Sequence, residues 1–334
     1  MTVGIKDVAR LAGVSPATVS RVLAGRAVDS DMQERVLAAV KSTGYRPNLS
    51  ARRLRSQHSN TIGLIVADIR NPFFTAVSRT IEDVAYARGM RVILCNTDED
   101  PAKEEMYLRL MQEERVTGAI LAPTRRGVEK VDAIPKDFPI VLIDRAGTSR
   151  QHDSVLLDNH AMAALLVRHL HEQGYRRIAG LFGAASTTGA ERRAGYEQAM
   201  AQLGLDPEAV LVDHAPGAAE AAVARLLQAT SRPEALIASN GVMLTRVLHA
   251  VRDMGLVIPG DVALAGFDNE PWMELVGDGL TVIEQPVAEI GRTAMTMLLD
   301  RLDHPDAAAR RIVLDGRCLV RGSSTPIRRT SAAA

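Results

Sequence analysis

Along this chain of 334 residues, apolar runs of strand length end on side chains suited to gripping a polar small molecule: Asn71, the pair Asp144 and Arg145, Asn240, Asp268 and Gln285. Carboxylate and amide oxygens accept hydrogen bonds, while amide and guanidinium N–H groups donate them, so such a set can hold a ligand from several sides. Any one of these residues could equally cap the helix that follows it. Five such ends converging point instead to a shared site, because open α/β sheets bind ligands outside the carboxyl ends of their strands. Asp144 and Asp268 could be imagined as an acid/base pair, but the pattern around them is one of hydrogen-bonding groups. No GxSxG, no phosphate-binding P-loop and no GxGxxG after a strand occurs. Binding is therefore expected rather than catalysis, with no catalytic residue and no cofactor. Cys95 and Cys318 lie far apart in the strand-like segments VILCNT and GRCLV and read as buried small hydrophobes. No Cys/His spacing suits a metal, and His169 and His171, two apart on a helix, face different ways.

The elements that must position these side chains come in a regular rhythm. From Thr61 onward, short β-branched runs alternate with amphipathic helices. Strand candidates are 62–69, 91–97, 118–124, 139–145 and 154–159, then 177–183, 209–214, 235–240, 262–269 and 281–286, with helices such as 102–115 and 160–173 between them. Continuous apolar strands alternating with helices predict parallel sheets covered on both faces. Two successive sets predict two similar α/β lobes.

The first sixty residues differ. Ile5, Val8, Ala9 and Ala12 keep helical spacing, and Gly13 ends that helix where a left-handed residue is needed. Ser15 then caps a second helix with Pro16 in its first turn. Val19, Val22 and Leu23 form its inner face, while Pro16, Ala17, Thr18, Ser20 and Arg21 lie on its outer side or first turn. A third helix, about 31–43, is expected to turn Val36, Leu37 and Val40 inward, and Gly44 ends it. Three short helices with a tight turn between the first two describe a helix-turn-helix, whose second helix enters the major groove of DNA. Charge agrees: residues 1–60 hold ten basic against four acidic residues, while the whole chain is neutral. A basic module on a mildly acidic body suits a polyanionic partner. The composition, 46% hydrophobic and 24% charged, is that of an ordinary globular protein, and no run of 18 uncharged apolar residues is present to cross a membrane. With no secretory segment, a cytoplasmic protein is expected.

The stretch IKDVARLAGVSPATVSRVLAG, continued by VLAAVKSTGYRPNLSARRLRS, resembles the DNA-binding headpiece of the lac-repressor/galactose-repressor family, and a looser likeness runs over the remaining chain. The resemblance implies an all-α headpiece at 1–47 with its helix-turn-helix at about 5–24, a hinge helix or linker at 48–60, and an effector-binding and dimerisation domain at 61–330. That domain is a two-lobed, periplasmic-binding-protein-like core of two parallel, doubly wound subdomains. Its first lobe would span about 61–159 plus 287–317 and its second about 160–286 plus 318–328, leaving a disordered tail at 329–334. Pro16, Ala17 and Arg21 match base-contacting positions, and Ser15, Thr18 and Ser20 would cap the helix or bind phosphate. In the hinge, Asn48, Arg52 and Leu54 match DNA-binding positions. Leu54 corresponds to a leucine that wedges into a central base step when two subunits cross the minor groove, and Arg52, Arg53 and Arg55 would neutralise phosphates. Ala24 departs from the asparagine common there.

For the body, the resemblance to ribose-binding proteins and ribose repressors assigns Asn71, Phe73 and Phe74 from NPFF, Asp144 and Arg145 from LIDR, Arg192 from AERRAGY, Asn240 from SNG, Asp268 from GFDN and Gln285 from EQP. Aromatic faces would cover the C–H side of a sugar ring while carboxylates, amides and guanidiniums take its hydroxyls. Two positions depart: Glu99 stands where ribose binders carry an amide, and Gly241 replaces an acid. The resemblance therefore implies a transcriptional regulator, a repressor of carbohydrate genes, with a ribose-like pentose as effector. Two arginines could also hold a carboxylate, so a sugar acid of the gluconate or 2-ketogluconate type is the rival. A transporter's solute receptor and a sugar enzyme are further alternatives. The partners expected are operator duplex DNA, the effector and a second copy of the chain. Helix 73–88 is a candidate contributor to the dimer, and TPIRRTSAAA lacks the leucine heptad of a tetramer-forming tail.

Overall fold

The computed structural model describes residues 3–23, 26–45, 59–134, 137–148, 151–213 and 215–326, and divides into two compact units, Met1–Ser59 and Asn60–Ala334. Asn48, Arg52, Leu54, the expected hinge through residue 58 and the expected tail lie outside the described residues.

The first unit has three helices, α1 (Ile5–Ala12), α2 (Pro16–Leu23) and α3 (Ser30–Thr43). Val8, Ala9, Ala12, Val19, Val36 and Ala39 form its core, with Ile5, Val22, Leu23 and Val40 half-buried against it. Leu37, expected inside, is 48% exposed. At about 100° per residue it stands a full step off the face that Val36, Ala39 and Val40 share.

The second unit runs β1 (Thr61–Val66), α4 (Pro72–Ala87), β2 (Arg91–Asn96), α5 (Pro101–Glu113), β3 (Gly118–Leu121), α6 (Arg125–Lys130), β4 (Ile140–Ile143), β5 (Asp153–Leu157) and α7 (Asn159–Glu172). It continues with β6 (Ile178–Gly183), α8 (Thr187–Gln202), β7 (Glu208–Val212), α9 (Ala218–Gln228), β8 (Ala235–Ala238), α10 (Gly241–Asp253), β9 (Ala263–Phe267) and β10 (Thr281–Glu284). Helix α11 (Val287–Asp303) and strands β11 (Arg311–Leu314) and β12 (Arg317–Leu319) complete it. The first sheet has the order β11-β5-β4-β3-β1-β2 and is wholly parallel; the second has the order β12-β10-β9-β8-β6-β7, with only β12 antiparallel. The strand candidates all form, but several stop short of the polar residues at their expected ends: 118–124 becomes Gly118–Leu121 and 139–145 becomes Ile140–Ile143. Edge strand β11 was not among the candidates; its residues alternate between exposed and half-buried and lack a continuous apolar run.

Each sheet carries a core on both faces. In the first, Ile62, Leu64 and Val66 meet α4 and α11, while Ile65 and Leu121 face Met111 on α5. In the second, Leu181, Leu236 and Leu264 meet α9 and α10, while Ile178, Ile237 and Phe267 meet α7 and α8. Helix α4 turns Phe73, Phe74, Val77, Ile81 and Ala85 into its own lobe, leaving outside residues such as Thr75, Arg79, Glu82, Asp83 and Tyr86. Its apolar stripe packs into the core of its own lobe. Cys95 is buried in β2 and Cys318 half-buried in β12, so only the first matches the expectation of full burial. Helices α7 and α8 approach closely because residue 195 is glycine: a Cβ there would lie 2.2 Å from the His160 carbonyl oxygen.

In both sheets the strand order reverses once, between β1 and β3 and between β6 and β8. At such a reversal the connecting helices leave on opposite faces and open a crevice beyond the strand ends.

Candidate functional site

In the helical unit, the turn between α1 and α2 is built on Gly13, at φ +65°, with Val14 N–H donating to the Ala9 carbonyl at 3.0 Å. Ser15 Oγ accepts the Thr18 N–H at 3.1 Å and lies 3.0 Å from Thr18 Oγ1. Ser15 caps α2 as expected, and the Thr18 hydroxyl reaches only the Ser15 hydroxyl among the described residues. Ser15, Pro16, Ala17 and Arg21 are exposed, and Thr18 and Ser20 half-buried. Val19 is buried in the core and Val22 and Leu23 are half-buried against it, which leaves the outer face of α2 with Pro16, Ala17 and Arg21 exposed.

In the second unit, one cavity of about 300 Å³ opens at the carboxyl ends of both sheets. Asn71, Phe73, Phe74, Glu99, Asp144, Arg145, Arg192, Asn240, Asp268 and Gln285 all lie on its wall. The two asparagines are also helix caps: Asn71 Oδ1 accepts the Phe73 N–H at 3.1 Å and Asn240 Oδ1 the Met243 N–H at 2.7 Å. Capping takes only the amide oxygen, and neither Nδ2 has a protein partner among the described residues. Cap and ligand-facing donor are compatible in one side chain.

The two buried arginines differ. Arg145, 4% exposed, donates from Nε to Asp144 Oδ2 at 2.9 Å and from Nη1 to Glu99 Oε1 and Oε2 at 2.7 and 3.0 Å. Burial opposes its charge, but Asp144 and Glu99 outweigh burial and raise its pKa above the ordinary arginine value. Arg192, 3% exposed, donates from Nε to Asn159 Oδ1 at 2.8 Å and from Nη1 to the Ser239 carbonyl, with its guanidinium carbon 4.0 Å from the centre of the Phe267 ring. It forms no ion pair among the described residues, and burial lowers its pKa despite the nearby charges of Asp268 and Asp144. Nη2 of each arginine has no protein partner among the described residues. Asp268 accepts the Gly241 N–H on Oδ2 at 2.7 Å and Gln285 Nε2 on Oδ1 at 2.6 Å. Glycine suits position 241: a Cβ there would come within 3.2 Å of Asp268 Oδ2.

The backbone is strained where these groups sit. Of the six described non-glycine residues with positive φ, four line the cavity: Asp98, Glu99, Asp144 and Asp268. Such conformations persist only where surrounding contacts over-determine them, and they cluster at ligand sites. Phe73 and Phe74, edge to face at 5.0 Å and 75°, give the first lobe's wall an aromatic surface, and Val242 and Met243 face the cavity from the second.

Asp68, Arg70, Asp98, Ser186, Thr188, Asp213 and Arg246 also line the cavity and were not anticipated. Most follow within a few residues of a strand end, and reading every such loop as a candidate would have found them. With them, six carboxylates face four guanidinium groups. The arrangement can orient a small, hydroxyl-rich molecule; among the described residues that line it, no nucleophile–base pair is formed. Among the described residues, no group of three His, Cys, Asp or Glu is placed to hold a metal, and no helix is long and apolar enough to cross a membrane.

The lacI family of bacterial regulatory proteins matches residues 4–48, and the periplasmic binding protein-like domain family matches residues 167–325. The HTH-type transcriptional regulator PtxS of Pseudomonas plecoglossicida is 35% identical over 98% of this chain and 96% of its own. The fold is that of the Lac repressor dimer solved with operator and the anti-inducer ONPF, at TM-score 0.88 and 23% identity over 98% of this chain and 100% of that one. A LacI-family transcriptional regulator from Enterococcus faecium, solved with bound ribose, matches at TM-score 0.72 and 26% identity over 80% of this chain and 100% of its own. Identity of this degree, sustained from the helical unit through both sheets, makes this chain a member of the lacI family of bacterial regulatory proteins, and so a transcriptional regulator.

Proposed function

We propose that the protein is a sequence-specific repressor of carbohydrate-metabolism genes whose operator affinity is set by a small neutral sugar, a ribose-like pentose, held between the two lobes. In this reading residues 1–47 are the DNA-binding headpiece, 48–60 the hinge and 61–330 the effector and dimerisation domain. Ser15, Pro16, Ala17, Thr18, Ser20 and Arg21 meet the major groove, while Asn48, Arg52 and Leu54 of the hinge contact the operator where that segment crosses the minor groove. A symmetric dimer presents two α2 helices to successive major grooves of a near-palindromic operator. An apolar groove on the second lobe, walled by Leu248, Ile258, Trp272 and Val276, offers surface of the kind a dimer covers; light scattering should return twice the chain mass.

One observation carries the effector assignment: the residues of both lobes that line the cavity form a ring of hydrogen-bonding groups in which Arg145 is already claimed by two carboxylates. A neutral polyol can use the remaining donors and acceptors without contesting that pairing. The ribose held by the Enterococcus faecium regulator supports the same class. A sugar acid is the second reading, favoured by Arg192, a buried cation without an ion-pair partner.

The sugar must bind one closure state of the lobes more tightly than another, or nothing shifts. Coupling is reciprocal, so operator DNA must change sugar affinity by the factor by which sugar changes operator affinity. Calorimetric titration of ribose with and without operator duplex tests this. Two different dissociation constants are expected; a single unchanged value sinks the proposal.

A further inference from the structure

We propose that Glu99 selects the charge of the effector: by holding Arg145 it keeps the cavity a site for neutral sugars and closes it to sugar acids. The inference rests on the cavity being the effector site, as argued above.

Glu99 lies just beyond β2, with Asp98 and Glu99 both left-handed, at φ +52° and +59°. Its N–H donates to the Ala67 carbonyl at 3.1 Å, which ties the loop to the end of β1. This geometry brings its carboxylate onto the guanidinium of Arg145, both oxygens bonding one nitrogen. The Glu99 side chain is 20% exposed and the Arg145 side chain 5%, so solvent screens the pair little. Because Asp144 binds Nε of the same guanidinium, the three groups together carry an excess negative charge at the cavity wall. An incoming carboxylate seeking Arg145 would have to displace Glu99 or stand beside it. Like charges at such distances in a partly buried site weaken binding by roughly ten- to a hundredfold. A hydroxyl meets no such penalty and can accept from the unused Nη2. An amide at this position could still accept a bond from Arg145, and with Asp144 alone pairing the guanidinium the excess negative charge, and with it the penalty on an acidic ligand, would be removed. The side chain at 99 thus decides whether an acidic ligand meets an excess negative charge or a balanced ion pair.

D-Fructose and 2-keto-D-gluconate test this directly, since they share a carbon skeleton and differ at C1, hydroxymethyl in one and carboxylate in the other. Both are titrated into the full-length wild type, Glu99→Gln, Glu99→Ala and Glu99→Asp, with D-ribose as a third ligand and thermal unfolding as the check on folding. The wild type and Glu99→Asp should prefer the neutral sugar. Glu99→Gln and Glu99→Ala should shift the acid-to-neutral affinity ratio toward the acid by about tenfold or more. A merely structural ion pair would lower the melting temperature without moving that ratio. Folded Gln and Ala variants with an unmoved ratio or no gain of acid binding, or a wild type that already prefers 2-ketogluconate, overturn the inference while leaving ribose binding, and with it the effector site, intact. A wild type that binds none of the three ligands overturns the sugar-effector reading, and this inference falls with it.

Discussion

Replacing Arg192 by lysine keeps a positive charge in the cavity but removes a planar fork that three directions depend on. Nε serves Asn159 Oδ1, Nη1 serves the Ser239 carbonyl, and Nη2 is left for a ligand. A lysine Nζ is a single point and cannot serve all three. A hydrogen bond to a charged group contributes about 1.5–3 kcal/mol, so losing the one made by Nη2 should weaken sugar binding roughly tenfold to a hundredfold. The consequence is visible as ligand-induced stabilisation. At a sugar concentration of about 100 times the wild-type Kd the wild type gains about 2.7 kcal/mol, whereas the variant should gain only about 0.4–1.4 kcal/mol. Without sugar the variant should also lose about 1–3 kcal/mol, because one buried acceptor, Asn159 Oδ1 or the Ser239 carbonyl, goes unpaired. Operator affinity without sugar should stay unchanged, since the helical unit has its own core. Differential scanning fluorimetry with and without ribose, beside fluorescence anisotropy on operator DNA, separates these effects. Wild-type sugar stabilisation in a folded Arg192→Lys variant would show that Nη2 does not donate to the ligand, and the assigned role would be wrong.

Three further outcomes are expected. Arg21→Ala should weaken operator binding by about 1–3 kcal/mol and relax sequence preference while leaving the sugar-induced thermal shift intact, as mobility-shift assays on operator and scrambled duplexes will report. Asp153, fully buried, accepts from Arg301 Nη2 at 2.9 Å and from the Arg310 N–H at 2.7 Å. Burial works to raise its pKa, but the hydrogen bonds and charges of Arg301 and Arg310 outweigh burial and hold it below the ordinary carboxylate value. A depressed folded pKa means stability that is fully present above the unfolded value near ~4 and lost as pH falls through the folded value. Calorimetric melting should therefore drop for the wild type in that acid window, and Asp153→Asn should melt lower at neutral pH and lack this part of the drop. Gly195→Ala should cost about 1–3 kcal/mol or more in urea unfolding, because the new methyl meets the His160 carbonyl; an unchanged midpoint would show that α7 and α8 can part without penalty.

The sequence by itself determined the rhythm of elements and the identity of the groups at the strand ends. Apolar runs between amphipathic helices have few ways to hide two faces, so two parallel α/β sheets followed, and a chain that reverses strand order must bring its strand-end loops to one crevice. The cap, glycine turn and outward face of α2 were legible because those are local rules, settled within four or five residues. What each strand-end residue touches was not legible. Glu99 and Arg145 meet across 46 positions of sequence and Arg192 and Ser239 across 47, and the left-handed backbone at Glu99, Asp144 and Asp268 aims their side chains in directions that no helical or strand period describes. The outward turn of Leu37, the commitment of the α4 stripe to its own lobe and the recruitment of β11 were likewise decided by packing against distant segments. Spacing along the chain names the groups that can act; only the folded contacts determine which of them remain unsatisfied and free to take a ligand.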